Sequence, residues 1–223
     1  MVKIKWLGHA ACEIEMNRKI VLIDPWLDGN PKAAVKSSDV EKADVICVTH
    51  DHMDHLGDAF QICKRTGATF VGTYELGVYA QENGVKDIVG MNVGGTAMVK
   101  GLGISMVQAV HTSGKGVAVG FVVKGEGKTV YHAGDTAVFG DMKLIGEIYR
   151  PDIALLPIGG YYTMGAEEAA EAVRLIQPKI VIPIHYGTFP VLASSAEEFV
   201  GKVKQKVSNV KVVVLNPGET YQL

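Results

Sequence analysis

In the stretch Thr49-His50-Asp51-His52-Met53-Asp54-His55, three imidazoles and two carboxylates follow directly on the segment 43–48, which is apolar but for Asp44. A short, mostly apolar run reads as a buried strand, so the polar cluster lies where that strand ends. Crowding so many titratable groups at a buried strand end sets desolvation against mutual repulsion. A bound cation resolves the conflict, because it makes neutral imidazole and ionised carboxylate the favoured forms. Imidazole mixed with carboxylate suits zinc, iron, manganese or nickel better than calcium. The fold is thereby constrained: other parts of the chain must bring further ligands to this strand end.

The spacing says how the ligands divide. On an extended segment His50 and His52 project to one side and can chelate one ion. Asp54 and His55 fall at the start of a helix and reach across the turn. Four ligands this close in sequence surround a single tetrahedral ion poorly, so two ions are expected. The other candidates share one grammar, a polar residue at the C-terminal end of a strand. They are His111 after the strand over 103–110, Asp135 in Tyr131-His132-Ala133-Gly134-Asp135-Thr136, and His185 in Ile182-Pro183-Ile184-His185-Tyr186-Gly187.

Around these motifs the pattern predicts strands over 2–7, 11–16, 19–23 and 43–48. A single helix over 54–65 is expected next, stopped by Gly67, then a strand over 69–71 and a helix over 75–83. Strands follow over 96–99, 103–110, 117–123 and 129–131. The last third alternates: helix 138–149, strand 153–156, helix 167–176, strand 179–184, a helix to 207, and strand 211–215. Ser195 with Glu198 is a capping-box signature for the helix ending at 207. Each half thus runs from strands to strand–helix alternation, with no linker between them. The layer rule makes this two packed sheets with helices outside, in one domain over 1–223.

Composition narrows the partners. With 48% hydrophobic and 21% charged residues the chain is neither disordered nor fibrous. A net charge of -2 removes the usual electrostatic case for nucleic acid or an anionic membrane. Cys12, Cys47 and Cys63 form no CxxC pair, which fits a reducing compartment. No signal-peptide core follows Met1 and no apolar run approaches a membrane span, so a cytoplasmic location is expected. A small-molecule substrate is expected, and a homo-oligomer is compatible with everything above.

In order and separation, His50-x-His52-x-Asp54-His55, His111, Gly134-Asp135-Thr136 and His185 resemble the ligand series of the metallo-β-lactamase superfamily. Further segments resemble its compact metal-dependent hydrolases related to L-ascorbate-6-phosphate lactonase. They are Leu7-Gly8-His9-Ala10, Ile23-Asp24-Pro25-Trp26, the 131–136 segment, Leu156-Pro157-Ile158-Gly159-Gly160 and Ile184-His185-Tyr186-Gly187-Thr188. The resemblance implies a four-layer αββα sandwich, two mixed sheets with helices outside and a metal site along one edge. It implies that His50, His52 and His111 hold one divalent ion, and that Asp54, His55 and His185 hold a second, with Asp135 bridging. Zinc is the expected metal, with manganese, iron or nickel as alternatives.

Asp24 would orient the metal loop from behind. His9, Tyr186 and Thr188 would support ligands or touch substrate, and His132 would be the candidate proton donor beside the catalytic Asp54. The implied activity is hydrolysis of an ester, lactone or phosphodiester by a metal-bridging hydroxide. Alternatives are a nuclease-like phosphodiesterase, a metal-binding protein without catalysis, and a non-hydrolytic di-iron redox protein. Superfamily members of the redox type carry Glu where this chain has His52, and they are joined to a flavin domain.

Overall fold

The computed structural model describes residues 1–223. Alternation sorts the first strands' side chains onto two faces, both apolar in the third and fourth strands. These strands are β1 (Lys3–Gly8), β2 (Ala11–Met16), β3 (Lys19–Ile23) and β4 (Val45–Cys47). Val21, Ile23, Val45 and Cys47 enter the core between the sheets, whereas Leu22 and Ile46 point the other way. The outward set is covered by α2 (Ala59–Thr66) and α3 (Tyr74–Glu82), which follow the one-turn α1 (Met53–Leu56). Ile62, Cys63, Leu76 and Ala80 supply the covering side chains. Strands β5 (Thr69–Thr73) and β6 (Ile88–Met91) complete the first half.

The second half repeats the plan with β7 (Thr96–Val99), β8 (Leu102–Gln108), β9 (Val119–Gly125) and β10 (Lys128–His132). It continues through α4 (Met142–Tyr149), β11 (Ile153–Pro157), α5 (Ala166–Ile176), β12 (Ile180–Ile184), α6 (Glu197–Lys206) and β13 (Lys211–Val212). A last strand, β14 (Thr220–Gln222), crosses back to pair antiparallel with β1. Two seven-stranded sheets result, ordered β14-β1-β2-β3-β4-β5-β6 and β13-β12-β11-β10-β9-β8-β7. Each is mixed: β1–β3 and β7–β10 pair antiparallel, while β3–β6 and β10–β13 pair parallel. This is the expected sandwich. Strands buried on both faces, such as β11 and β12, read as continuous apolar runs for that reason.

Several local expectations are corrected. The helix over 54–65 is two helices, broken at Gly57 and Asp58. Gly57 has φ 40°, and a Cβ there would lie 2.4 Å from Trp26 Cα and 2.9 Å from the Pro25 carbonyl oxygen. Asp58 Oδ2 accepts hydrogen bonds from the backbone N–H of Leu27 and Asp28 at 2.7 and 2.8 Å. Docking the 25–28 loop thus wins over helix continuity. Ser195 does not cap α6: the cap position is Ala196, without a side-chain bond, and Glu197 and Glu198 complement the helix dipole instead. The helix expected from 138 starts at Met142. Strands β6 and β14 had no sequence signal, being short and half-exposed at sheet edges. No helix is long and apolar enough to cross a membrane.

The break at Gly57 yields a test. Gly57→Ala should cost about 2–4 kcal/mol from backbone strain and overpacking against Trp26. Gly67→Ala, also at positive φ but with nothing within 4 Å of the new Cβ, should cost only about 1–2 kcal/mol. Denaturant melts of the two variants check this ordering.

Candidate metal centre

Four strands deliver ligands to one edge of the sandwich. His50 and His52 follow β4, Asp54 and His55 ride on α1, His111 follows β8, Asp135 follows β10 and His185 follows β12. Three groupings have donor atoms within 4.8 Å of one another: His50, His52 and His111; His9, Asp54, His55 and His185; and His50, His55 and Asp135. Asp135 links the first two. Its Oδ2 lies 3.6 Å from His111 Nε2 and 3.2 Å from His185 Nε2, and its Oδ1 lies 3.2 Å from His55 Nε2. All seven ligand candidates read from the sequence meet here.

The donor set fits a cation by its own geometry. His55 Nε2, His185 Nδ1 and Nε2, and Asp135 Oδ1 are buried without a hydrogen-bond partner. Leaving such atoms orphaned costs about 1–3 kcal/mol each, a cost that coordination removes at His55 Nε2, His185 Nε2 and Asp135 Oδ1. Burial, only partly offset by neighbouring carboxylates, lowers His50 to about 3, so its imidazole is neutral and ready to ligate. Burial pushes the Asp135 carboxyl up, but His55 and His185 outweigh it and hold the group well below the usual carboxylate range. Burial likewise pulls His55 down, yet Asp135 and Asp24 raise it overall. The field at His55 therefore favours positive charge.

Support comes from behind. Asp24, fully buried, accepts the Thr49 N–H on Oδ1 at 2.8 Å, and on Oδ2 the Thr49 hydroxyl at 2.7 Å and His55 Nδ1–H at 2.7 Å. With its proton given to Asp24, Thr49 Oγ1 accepts His50 Nδ1–H at 3.0 Å. One carboxylate thus sets the tautomer of two histidines and leaves each Nε2 unprotonated, that of His50 facing His52 Nδ1 at 3.0 Å. Two further residues escaped the sequence reading. Asp51 Oδ1 accepts from the Ser113 hydroxyl at 3.0 Å and the Gly114 N–H at 2.7 Å, tying the His111 loop to the His50–His52 segment. Thr136 Oγ1 accepts the Val110 N–H at 3.0 Å, fixing the same loop from the Asp135 side. Position inside a ligand motif was the signal available for both.

Backbone conformation matches this role. His9, Asp24 and His185, at φ 56°, 49° and 58°, all adopt the left-handed region that non-glycine residues avoid. The His9 carbonyl joins two of these turns by accepting Trp6 Nε1–H at 2.8 Å and the His185 N–H at 2.9 Å. In the Gly134-Asp135-Thr136 turn, a Cβ at Gly134 would lie 2.7 Å from the Val119 carbonyl oxygen and 2.9 Å from Thr49 Cβ. Glycine is what lets Asp135 approach the histidine segment.

The remaining candidates divide. His9 donates from Nε2 to Asp54 Oδ2 at 3.0 Å, and its Nδ1 accepts the Thr188 hydroxyl. Burial lowers it to about 4 despite the Asp54 bond, so it is a neutral strut for a ligand. Thr188 acts through it. Tyr186 instead stacks on Trp6, with centroids 5.1 Å apart, and belongs to the core. The role expected for His132 is corrected as well. Its ring is fully buried, Nε2–H donates to the Ala10 carbonyl at 2.9 Å, and Nδ1 accepts the Gly134 N–H at 3.1 Å. No nitrogen remains to give a proton to a substrate.

A cavity of about 640 Å³ opens over the cluster, lined by His52, Asp54, His111 and Asp135 together with Met53, Thr112, Tyr162, Phe189, Pro190 and Val191. Larger hollows elsewhere on the surface contain none of the clustered ligands. Asp24→Asn should lower metal affinity roughly 10–100-fold, because the histidine tautomers lose their anchor. Competition titration with a chromophoric chelator measures it directly.

Comparison with known proteins agrees with this geometry. Residues 19–186 match the family described as Beta-lactamase superfamily domain. A UPF0173 metal-dependent hydrolase of Methanopyrus kandleri is 55% identical, covering 99% of this chain and 100% of its own. Another, from Thermococcus kodakarensis, is 51% identical, covering 100% of both. Among solved structures, Igni18, a metallo hydrolase from Ignicoccus hospitalis, superposes with a TM-score of 0.93 at 42% identity, covering 100% of this chain and 99% of that one. The chain belongs to the UPF0173 family of metal-dependent hydrolases, within the metallo-β-lactamase superfamily.

Proposed function

We propose that the protein is a two-metal hydrolase that cleaves an ester, lactone or phosphodiester of a small molecule. The observation that carries this reading is the pair of donor groups joined by Asp135 beneath an open pocket. His50, His52 and His111 would hold one divalent ion; Asp54, His55 and His185 would hold the other; Asp135 would touch both. Zinc suits the imidazole-rich set, and manganese, iron or nickel are the alternatives to test. When bound, such ions supply hydroxide near neutral pH and polarise the oxygen of the scissile group.

The chain's own residues orient and exclude. Asp54 Oδ2 accepts from His9 Nε2 at 3.0 Å and lies 3.9 Å from His185 Nε2, so this bond holds the carboxylate beside the ligand cluster. Of the two carboxylates that line the pocket, Asp54 is the more exposed, which makes it the group to take the attacking water's proton and pass it to the leaving group. No protein nucleophile competes. The Ser113 hydroxyl is engaged by Asp51, and Cys12, Cys47 and Cys63 are buried. Nucleic-acid processing is disfavoured by the net charge of -2 and by a pocket without lysine or arginine.

Chelator-stripped protein should lose turnover of aryl esters and regain it on metal readdition. In the metal-replete protein His111→Ala should lose on the order of 10²-fold or more in kcat, the scale of a lost oxyanion stabiliser. By contrast, His132→Gln should destabilise the fold while leaving the pH dependence of kcat unchanged. A shifted acid limb in that variant would restore His132 as the proton donor.

A further inference from the structure

Resting on the hydrolase reading, we propose that the substrate is an uncharged ester or lactone with an apolar tail, rather than a phosphorylated or otherwise anionic one. The pocket has two unlike surfaces. Its floor is the ligand cluster, while Met53, Tyr162, Phe189, Pro190 and Val191 form the walls. Met53, Tyr162 and Val191 are 72%, 53% and 50% exposed, a clustering of large apolar side chains that folding alone does not reward. Burial against an apolar tail would recover that surface.

The wall is built before substrate arrives. Phe189 stacks on Trp26 with centroids 5.8 Å apart and an interplanar angle of 24°, and meets the His9 ring edge-on at 5.3 Å. Because the His9 ring also contacts Asp54 and His185, the apolar wall and the ligand cluster share one rigid support. No lysine or arginine lines the cavity, and Lys115, just beyond the Thr112 wall, lies over the Tyr79 ring instead. Any anionic group carried away from the scissile bond would therefore face Phe189, Pro190 or Val191 without a counter-charge, and desolvating it there is costly. A volume near 640 Å³ is that of a small-molecule site.

The reaction balances without redox. The oxygen of water bonds to the carbonyl carbon and the carbonyl–alkoxy bond breaks. One proton passes to the leaving alkoxide, and the product is a carboxylic acid with an alcohol, or a hydroxy acid from a lactone.

The test is a matched panel on the metal-replete protein: lactones and aryl esters with alkyl tails of increasing length, each beside a copy bearing a terminal phosphate. The expected result is a kcat/KM rising by up to about fourfold per added methylene and at least tenfold lower for every phosphorylated copy. Phe189→Ala should flatten the dependence on tail length with metal content unchanged, and Val191→Lys should narrow the phosphate discrimination. Calorimetric binding of hexanoate in preference to glycerol phosphate, weakened in Phe189→Ala, gives a readout independent of turnover. Preference for the phosphorylated copies, or a flat response to tail length in the unaltered protein, overturns the substrate assignment while leaving the hydrolase reading intact. Absence of turnover on the whole panel with both metals bound overturns the hydrolase reading, and the substrate assignment with it.

Discussion

The buried carboxylate of Asp24 is the interaction on which the rest of the centre depends. It receives three hydrogen bonds, from the Thr49 backbone, the Thr49 hydroxyl and His55. Through Thr49 it also sets His50. Burial alone would favour its neutral form, yet the nearby histidines keep it ionised. Its left-handed backbone, at the point where β3 turns away from the sheet, is the local strain that brings this carboxylate under the cluster. Without it, the imidazoles above would be free to change tautomer, and neither Nε2 would have a defined direction.

A second dependence runs through His9. That ring meets Asp54, His185, Phe189 and Thr188 at once. Loops following β1 and β12 are thereby locked to the same point. A polar, metal-oriented floor and an apolar wall are consequences of the same packing. The chain's near-neutral charge, which at first only failed to support a polyanionic partner, gains a local counterpart in a cavity without cationic side chains.

Much of this was legible in the sequence because metal ligands impose residue identity as well as spacing. His50 to His55, His111, Asp135 and His185 could be read in that way, and Asp24 came from the resemblance of Ile23-Asp24-Pro25-Trp26 to the compact hydrolases. The strands of the sandwich were equally readable where alternation or continuous burial marks them. What escaped were features decided by contacts between distant segments. The helix break at Gly57 exists because the Trp26 loop docks against it. His132 looked like a site residue from its position at a strand end, but the distant Ala10 carbonyl and the nearby Gly134 N–H occupy its ring. Asp51 carried only its position inside the ligand motif as a signal, and its partner shows once the His111 loop is seen resting on it. Edge strands β6 and β14 are set by available hydrogen-bonding partners rather than by their own composition.

The central claim is that two ligand sets, sharing Asp135, hold two ions. Elemental analysis of metal-replete protein, run beside His111→Ala, His185→Ala and Asp135→Asn, tests it most directly. Two ions per chain are expected in the unaltered protein, one in each histidine variant, and weakened retention of both in Asp135→Asn. A single ion per chain in the unaltered protein, with metal content indifferent to Asp135→Asn, would contradict it.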